Sequence, residues 1–98
     1  MHTWIQNSFL GFLIDILFVK EMIVFVIAEV ESGMEKEVSE ELTTVEGVIE
    51  VYVITGEYDL LVKMEVDNLE NAMDLIMDRI RNIDGIEGTR TILARRIK

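Results

Sequence analysis

The residues with the most chemical potential in this chain of 98 lie in two short stretches, Thr55-Gly56-Glu57-Tyr58-Asp59-Leu60 and Thr89-Arg90-Thr91. Aspartate is disfavoured in strands, yet Asp59 begins the otherwise apolar stretch Leu60-Leu61-Val62. A carboxylate there can receive an ammonium group through a charge-assisted bond worth about 1.5–3 kcal/mol, or it can satisfy N–H groups of its own hairpin. Gly56 suits a turn that needs a positive φ, and its missing side chain would also let a ligand come close to the backbone. Thr89 and Thr91 alternate onto one face of a strand and could bond a ligand carboxylate, although threonine is also an ordinary strand former. The chain has no cysteine, its one histidine is His2, and no G-x-G-x-x-G, phosphate loop, H-E-x-x-H or Ser-His-Asp set is present. No cofactor or metal is therefore expected.

The elements that position these residues are written twice. Val24-Phe25-Val26-Ile27-Ala28-Glu29-Val30 returns as Leu60-Leu61-Val62-Lys63-Met64-Glu65-Val66, and Val45-Glu46-Gly47-Val48-Ile49-Glu50 returns as Ile83-Asp84-Gly85-Ile86-Glu87-Gly88. A helical stretch separates the matching strands in each copy. Two strand–helix–strand units in one small domain make the split β-α-β, ferredoxin-like arrangement: an α+β fold of order β-α-β-β-α-β, with an antiparallel sheet and two helices on one face. The first strand is expected from Ile23 to Val30. Ser32-Gly33-Met34-Glu35 reads as a capping box that opens a helix whose inner face is Met34, Val38, Leu42 and Val45. The second strand is expected from about Val48 to Thr55, the third from about Tyr58 to Val66, and the fourth from about Glu87 to Arg95. The second helix, opened by Asp67 with Glu70 three residues on, carries Leu69, Ala72, Met73, Ile76, Ile80 and Ile83 on its expected buried side. Met34, Met64, Met73 and Met77 read as core fillers.

If Gly56-Glu57 is a two-residue turn, Tyr52 faces Leu61 and Glu50 faces Lys63, while Val51 meets Val62, Val53 meets Leu60 and Ile49 meets Met64 on the opposite side. That second side is apolar throughout and suits the helices. The first retains Tyr52, Ile54, Leu61 and Ile92, and leaving a few hundred Å² of such surface in water forfeits several kcal/mol at ~25 cal/mol per Å². A dimer packed sheet against sheet is the expected solution.

Nineteen acidic residues against nine basic ones leave a charge of −10, which repels a phosphate backbone and an anionic membrane surface alike. Direct nucleic-acid and membrane binding are not expected, and the absence of cysteine fits a reducing, cytoplasmic interior. Residues 1–21 differ from the remainder. The run from Phe9 to Val19 lacks the basic region of a signal peptide, is shorter than the roughly 20 residues a bilayer needs, and contains Asp15. It reads as an apolar N-terminal appendage outside the domain of residues 22–98, as translated sequence upstream of a start at Met22, or as a helix that docks on a partner subunit; a membrane anchor is the weakest of the readings.

From about Met22 to Arg96, the order of elements, the G-x-Y-D-L hairpin at Gly56-Glu57-Tyr58-Asp59-Leu60 and Thr89-Arg90-Thr91 resemble the effector-binding (RAM) domain of Lrp/AsnC, the leucine-responsive regulators of transcription. The resemblance implies dimers formed through the sheets, further assembly into a higher homo-oligomer, and a free amino acid bound between dimers. The positions matching the family's site are Gly56, Tyr58, Asp59, Thr89 and Thr91. Complete regulators carry an N-terminal helix-turn-helix, which residues 1–21 cannot supply, so the resemblance is to stand-alone members that sense a metabolite and act through a partner such as a full-length Lrp/AsnC regulator.

Two other classes remain in view. Small dimeric α+β barrel enzymes share this fold but need polar groups converging beneath the helices, where this chain has Val, Ile, Leu and Met. An acylphosphatase-like activity would want an arginine and a basic loop near the first strand, which instead ends Glu29-Val30-Glu31-Ser32. The chain is thus expected not to be an enzyme. A structural oligomerisation module without a ligand is the other alternative.

Overall fold

Both copies of the repeat fold as strand, helix, strand in the computed structural model, which describes residues 22–56 and 59–98. The elements are β1 (Met22–Val30), α1 (Glu35–Leu42), β2 (Val48–Val53), β3 (Asp59–Val66), α2 (Leu69–Leu75), which continues into a π-helical turn over Ile76–Ile80, and β4 (Ile86–Ala94). The strands form one antiparallel sheet in the order β2-β3-β1-β4. The α+β fold expected from the repeat is the one observed. The expected appendage of residues 1–21 lies outside the described residues.

Alternation divides the sheet into two faces. Val24, Val26, Ala28 and Val30 of β1 and Leu60, Val62, Met64 and Val66 of β3 are buried, and together with Val38, Leu42, Val45, Ala72, Ile76 and Ile80 from the helical layer they make the core. The opposite face pairs Phe25 with Lys63 and Ile92, and Ile27 with Leu61 and Arg90. Tyr52 pairs with Leu61 and Glu50 with Lys63, as expected, and so do Val51 with Val62 and Val53 with Leu60. The expected pairing of Ile49 with Met64 is not formed. A bulge shifts the register between Val48 and Glu50, so that Val48 faces Met64 and Ile49 turns to solvent.

The two copies are tied across each other. The Gly47 carbonyl of the first copy accepts from Glu65 N of the second at 2.9 Å, and the Gly85 carbonyl of the second accepts from Glu31 N of the first at 2.7 Å. Gly85 has φ +98°, and a Cβ on it would stand 2.8 Å from Val38 Cγ2 and 2.9 Å from Met34 Cβ. The close approach of α1 to this turn therefore requires glycine.

Both helix starts differ from the expected caps. Glu35 reaches back to Gly33 N at 3.1 Å and not to Ser32, and the residue before the helix, Met34, makes no side-chain cap. Asn68, not Asp67, caps α2: its extended backbone turns Oδ1 onto Asn71 N at 2.8 Å. On α2, Ala72, Ile76 and Ile80 are buried and Ile83 is partly buried, as expected, but Leu69 and Met73 are exposed and Leu75 packs on the core in their place. Of the four methionines expected as core fillers, Met64 is wholly buried, Met34 packs at the margin, and Met73 and Met77 face solvent.

Candidate functional site

Asp59 opens β3 on the face turned away from the helices, where it is half-buried and paired across the ladder with Glu29 of β1. Before it stands Gly56, with φ +116°. A Cβ on Gly56 would meet Asp59 Oδ2 at 3.3 Å, so the turn makes room for the carboxylate. The hairpin is held by a backbone bond from Ile54 N to Asp59 O at 3.4 Å. Among the described residues no side-chain hydrogen bond or ion pair engages the Asp59 carboxylate. Tyr58 lies outside the described residues.

Two charged residues that were not singled out in the sequence share this corner. Glu29 Oε1 lies 3.8 Å from Arg90 Nη2, and it sits over Gly88, where an added Cβ would be 3.4 Å away. Glu29 and Arg90 are distant from Asp59 in the chain, and only the β1–β3 and β1–β4 registers bring the three elements together. The Glu29–Arg90 pair is largely solvated and contributes little stability, but it occupies the one acid beside Asp59 across the ladder.

Thr89 and Thr91 do share a face of β4, but it is the helix-facing one, since they pair with Ala28 and Val26 of the core. A single subunit thus presents Asp59 and the two threonines on opposite sides of its sheet. Five grooves of the described surface, from ≈ 120 to ≈ 520 Å³, are lined by residues other than Gly56, Asp59, Thr89 and Thr91.

Further along the same sheet face, Lys63 Nζ lies 3.7 Å from Glu50 Oε1. A hydrogen bond to Glu50 holds the Tyr52 phenol above its usual pKa, with desolvation and the charge of Glu50 acting in the same direction. Among the described residues no group of three His, Asp or Glu side chains converges on a metal position, and no described helix is long and apolar enough to cross a membrane.

Comparison with known proteins gives this geometry a context. The HTH-type transcriptional regulator FL11 of Pyrococcus abyssi is 38% identical over 72 residues, which are 74% of this chain and 47% of FL11. The chain spans about half the length of the curated relatives it matches. Among solved structures, that of FFRP-DM1 superposes with a TM-score of 0.70 at 38% identity, covering 76% of this chain and 99% of that one. The complex of the Neisseria meningitidis regulator NMB0573 with L-Met has the same fold, with a TM-score of 0.71 at 12% identity over 99% of this chain and 72% of that one. The family model for the Lrp/AsnC ligand binding domain matches residues 23–97, from the first strand to past the end of the last. With that span and the identity to FL11, the chain belongs to the Lrp/AsnC ligand binding domain family.

Proposed function

We propose that this domain is a non-catalytic, cytoplasmic sensor that binds a free amino acid at an interface between subunits of a homo-oligomer and acts through a partner regulator of transcription. The observation that carries the proposal is the Asp59 carboxylate, half-buried, given room by Gly56, and without a side-chain partner among the described residues. Such a group is ready to accept an ammonium ion, and the adjacent acid, Glu29, is already engaged by Arg90. Thr89 and Thr91 are the hydroxyls proposed for the ligand carboxylate. Because they lie on the opposite face of the sheet from Asp59, a molecule as small as an amino acid that met both sets would have to be held between subunits. Tyr58, next to Asp59 in sequence, is proposed as a further ligand-binding residue. The L-Met complex of the Neisseria relative supports the reading, since the same fold there holds an amino acid.

An amino acid offers few atoms, so even efficient contacts of about 0.5–0.8 kcal/mol per heavy atom give micromolar to millimolar affinity, which suits a sensor of metabolite pools. Binding across an interface also couples ligand to assembly, and the assembled form must in return bind more tightly. A thermal-shift screen over the twenty amino acids, followed by calorimetry with Asp59→Ala, tests the proposal. A stabilising amino acid whose binding is lost in a folded Asp59→Ala protein supports it. No heat with any amino acid at millimolar concentration, or unchanged affinity in the variant, leaves the ligand-free oligomerisation module as the better account.

A further inference from the structure

The middle residue of Thr89-Arg90-Thr91 faces the other way from its neighbours. Thr89 and Thr91 pair with Ala28 and Val26 of the core, whereas Arg90 pairs with Ile27 on the open face, the face on which Asp59 begins β3. Asp59, Glu29 and Gly88 stand in one row across β3, β1 and β4 at this end of the sheet. Gly88 supplies no side chain, and Glu29 leans into that space. Its Oε1 would stand 3.4 Å from a Cβ on Gly88 and lies 3.8 Å from Arg90 Nη2. Glu29 thus turns towards β4, while Asp59 lies on the other side of β1.

At 3.8 Å the Glu29–Arg90 contact is an ion pair and not a hydrogen bond, and among the described residues the guanidinium makes no hydrogen bond at all. The Arg90 side chain is 68% exposed, so its N–H donors are open to a ligand. Asp59 is the matching acceptor, likewise without a side-chain partner among the described residues. With about 4.8 Å between strands and about 3.4 Å between residues, the Cα atoms of Asp59 and Arg90 stand roughly 12 Å apart. A zwitterion with a hydrogen bond of about 2.8 Å at each end bridges roughly 8–9 Å, which fits a span from which both side chains reach inward.

We propose that Arg90 receives the carboxylate of the ligand, so that Asp59 and Arg90 hold the two ends of one zwitterion and the site rejects amines and amides that lack a carboxylate. The assignment rests on the reading of Asp59 as the ammonium acceptor and adds to it the residue that sets the ligand class. Glu29 is a positioning residue that holds the guanidinium over Gly88. Among the described residues the four strands carry two cations, and the other, Lys63, is four residues further along β3 from Asp59 and lies 3.7 Å from Glu50. A planar guanidinium also suits a carboxylate better than an ammonium does, because it can donate two parallel bonds. The carboxylate keeps lone pairs free for threonine hydroxyls of a neighbouring subunit. Discrimination follows from both ends: an amine or amide leaves Arg90 unanswered, and a simple carboxylic acid leaves Asp59 so.

The probes are the twenty L-amino acids and their C-terminal amides, compared as pairs by thermal shift and then calorimetry on the full chain. At a pH of about 6 both members of a pair carry the ammonium, since an α-amino group beside an amide has a pKa of about 8. At least one amino acid is expected to bind at least about tenfold more tightly than its own amide. Arg90→Gln should weaken that amino acid at least about tenfold and its amide by less than about twofold, and Arg90→Lys should keep part of the preference. Asp59→Ala, by contrast, should weaken both members alike. Where the amide is too weak to titrate, the Arg90 Nε–H signal of nitrogen-15-labelled protein, identified by its loss in Arg90→Lys, should move on addition of the amino acid. An unmoved signal overturns the proposal. So does an acid-over-amide preference that survives in Arg90→Gln, which with binding still lost in Asp59→Ala would leave the Asp59 reading standing alone. Equal weakening of acid and amide in Arg90→Gln would assign Arg90 to subunit assembly and also overturn it. If no amino acid binds at all, both readings fall together.

Discussion

Oδ2 of Asp59 lies 3.3 Å from the point that a Cβ on Gly56 would occupy, so the two residues share one small volume at the hairpin. Alanine at position 56 would meet both the carboxylate and a φ of +116°, which L residues rarely adopt. Gly56→Ala should destabilise the fold by about 1–2 kcal/mol in urea unfolding and weaken amino-acid binding by calorimetry, because Asp59 must shift to make room. A variant with wild-type stability and affinity would show that the turn does not hold the carboxylate.

A more severe loss is expected at Gly85, where the same substitution brings a methyl to 2.8 Å from Val38 Cγ2 in addition to the strain of φ +98°. Overpacking and backbone strain together should cost about 3 kcal/mol or more. Denaturant melts of Gly85→Ala beside Gly56→Ala would check the order, and the prediction fails if Gly85→Ala is the milder of the two.

Sheet-to-sheet assembly predicts different fates for two leucines. Leu61 is half-buried on the open face among Phe25, Ile27 and Ile92, whereas Leu42 is wholly buried in the core. Leu61→Glu should leave the subunit folded and shift light scattering towards smaller species. Leu42→Glu should cost about 3–5 kcal/mol and abolish the cooperative melt. A wild-type protein that is a folded monomer when dilute would overturn the sheet-to-sheet arrangement.

The phenol of Tyr52 should ionise above the ordinary value of about 10, because Glu50 bonds to and repels charge from its neutral and ionised forms respectively. A raised folded pKa means that the unfolded chain loses its proton first. The contribution to stability is therefore present below the ordinary tyrosine pKa and is lost as pH rises through the folded one. Absorbance titration of a Tyr58→Phe protein should place the Tyr52 midpoint above the ordinary value, and Glu50→Gln should lower it; an unmoved midpoint would rule out Glu50 as the cause.

How much of this was legible in the chain follows from the range of the interactions involved. The repeat, the strand and helix types, the pairing of Tyr52 with Leu61 and the inner faces of β1, β3 and α1 depend on periodicity within one element or on a short turn, and these are readable along a sequence. The caps were misplaced by one or two residues because several polar residues compete for each helix start, and backbone geometry decides between them. At α2 the extended backbone of Asn68 turns its Oδ1 onto Asn71 N, which makes it the cap.

The sequence alone determined the fold class, the glycine turn with its carboxylate at Gly56 and Asp59, and an open apolar sheet face. Tertiary structure alone decided the rest. It set Glu29 and Arg90 beside Asp59, turned Thr89 and Thr91 to the other side of the sheet, and left Leu69, Met73, Met77 and Leu93 in solvent. The reason is the same in each case. A period of two says which residues share a face but not which face, because one step of register exchanges the sides, and helical spacing shows a stripe without showing whether a neighbouring element is wide enough to cover it. In this molecule α2 covers β1 and ends short of β4, a fact of layer width that no stretch of the chain records locally.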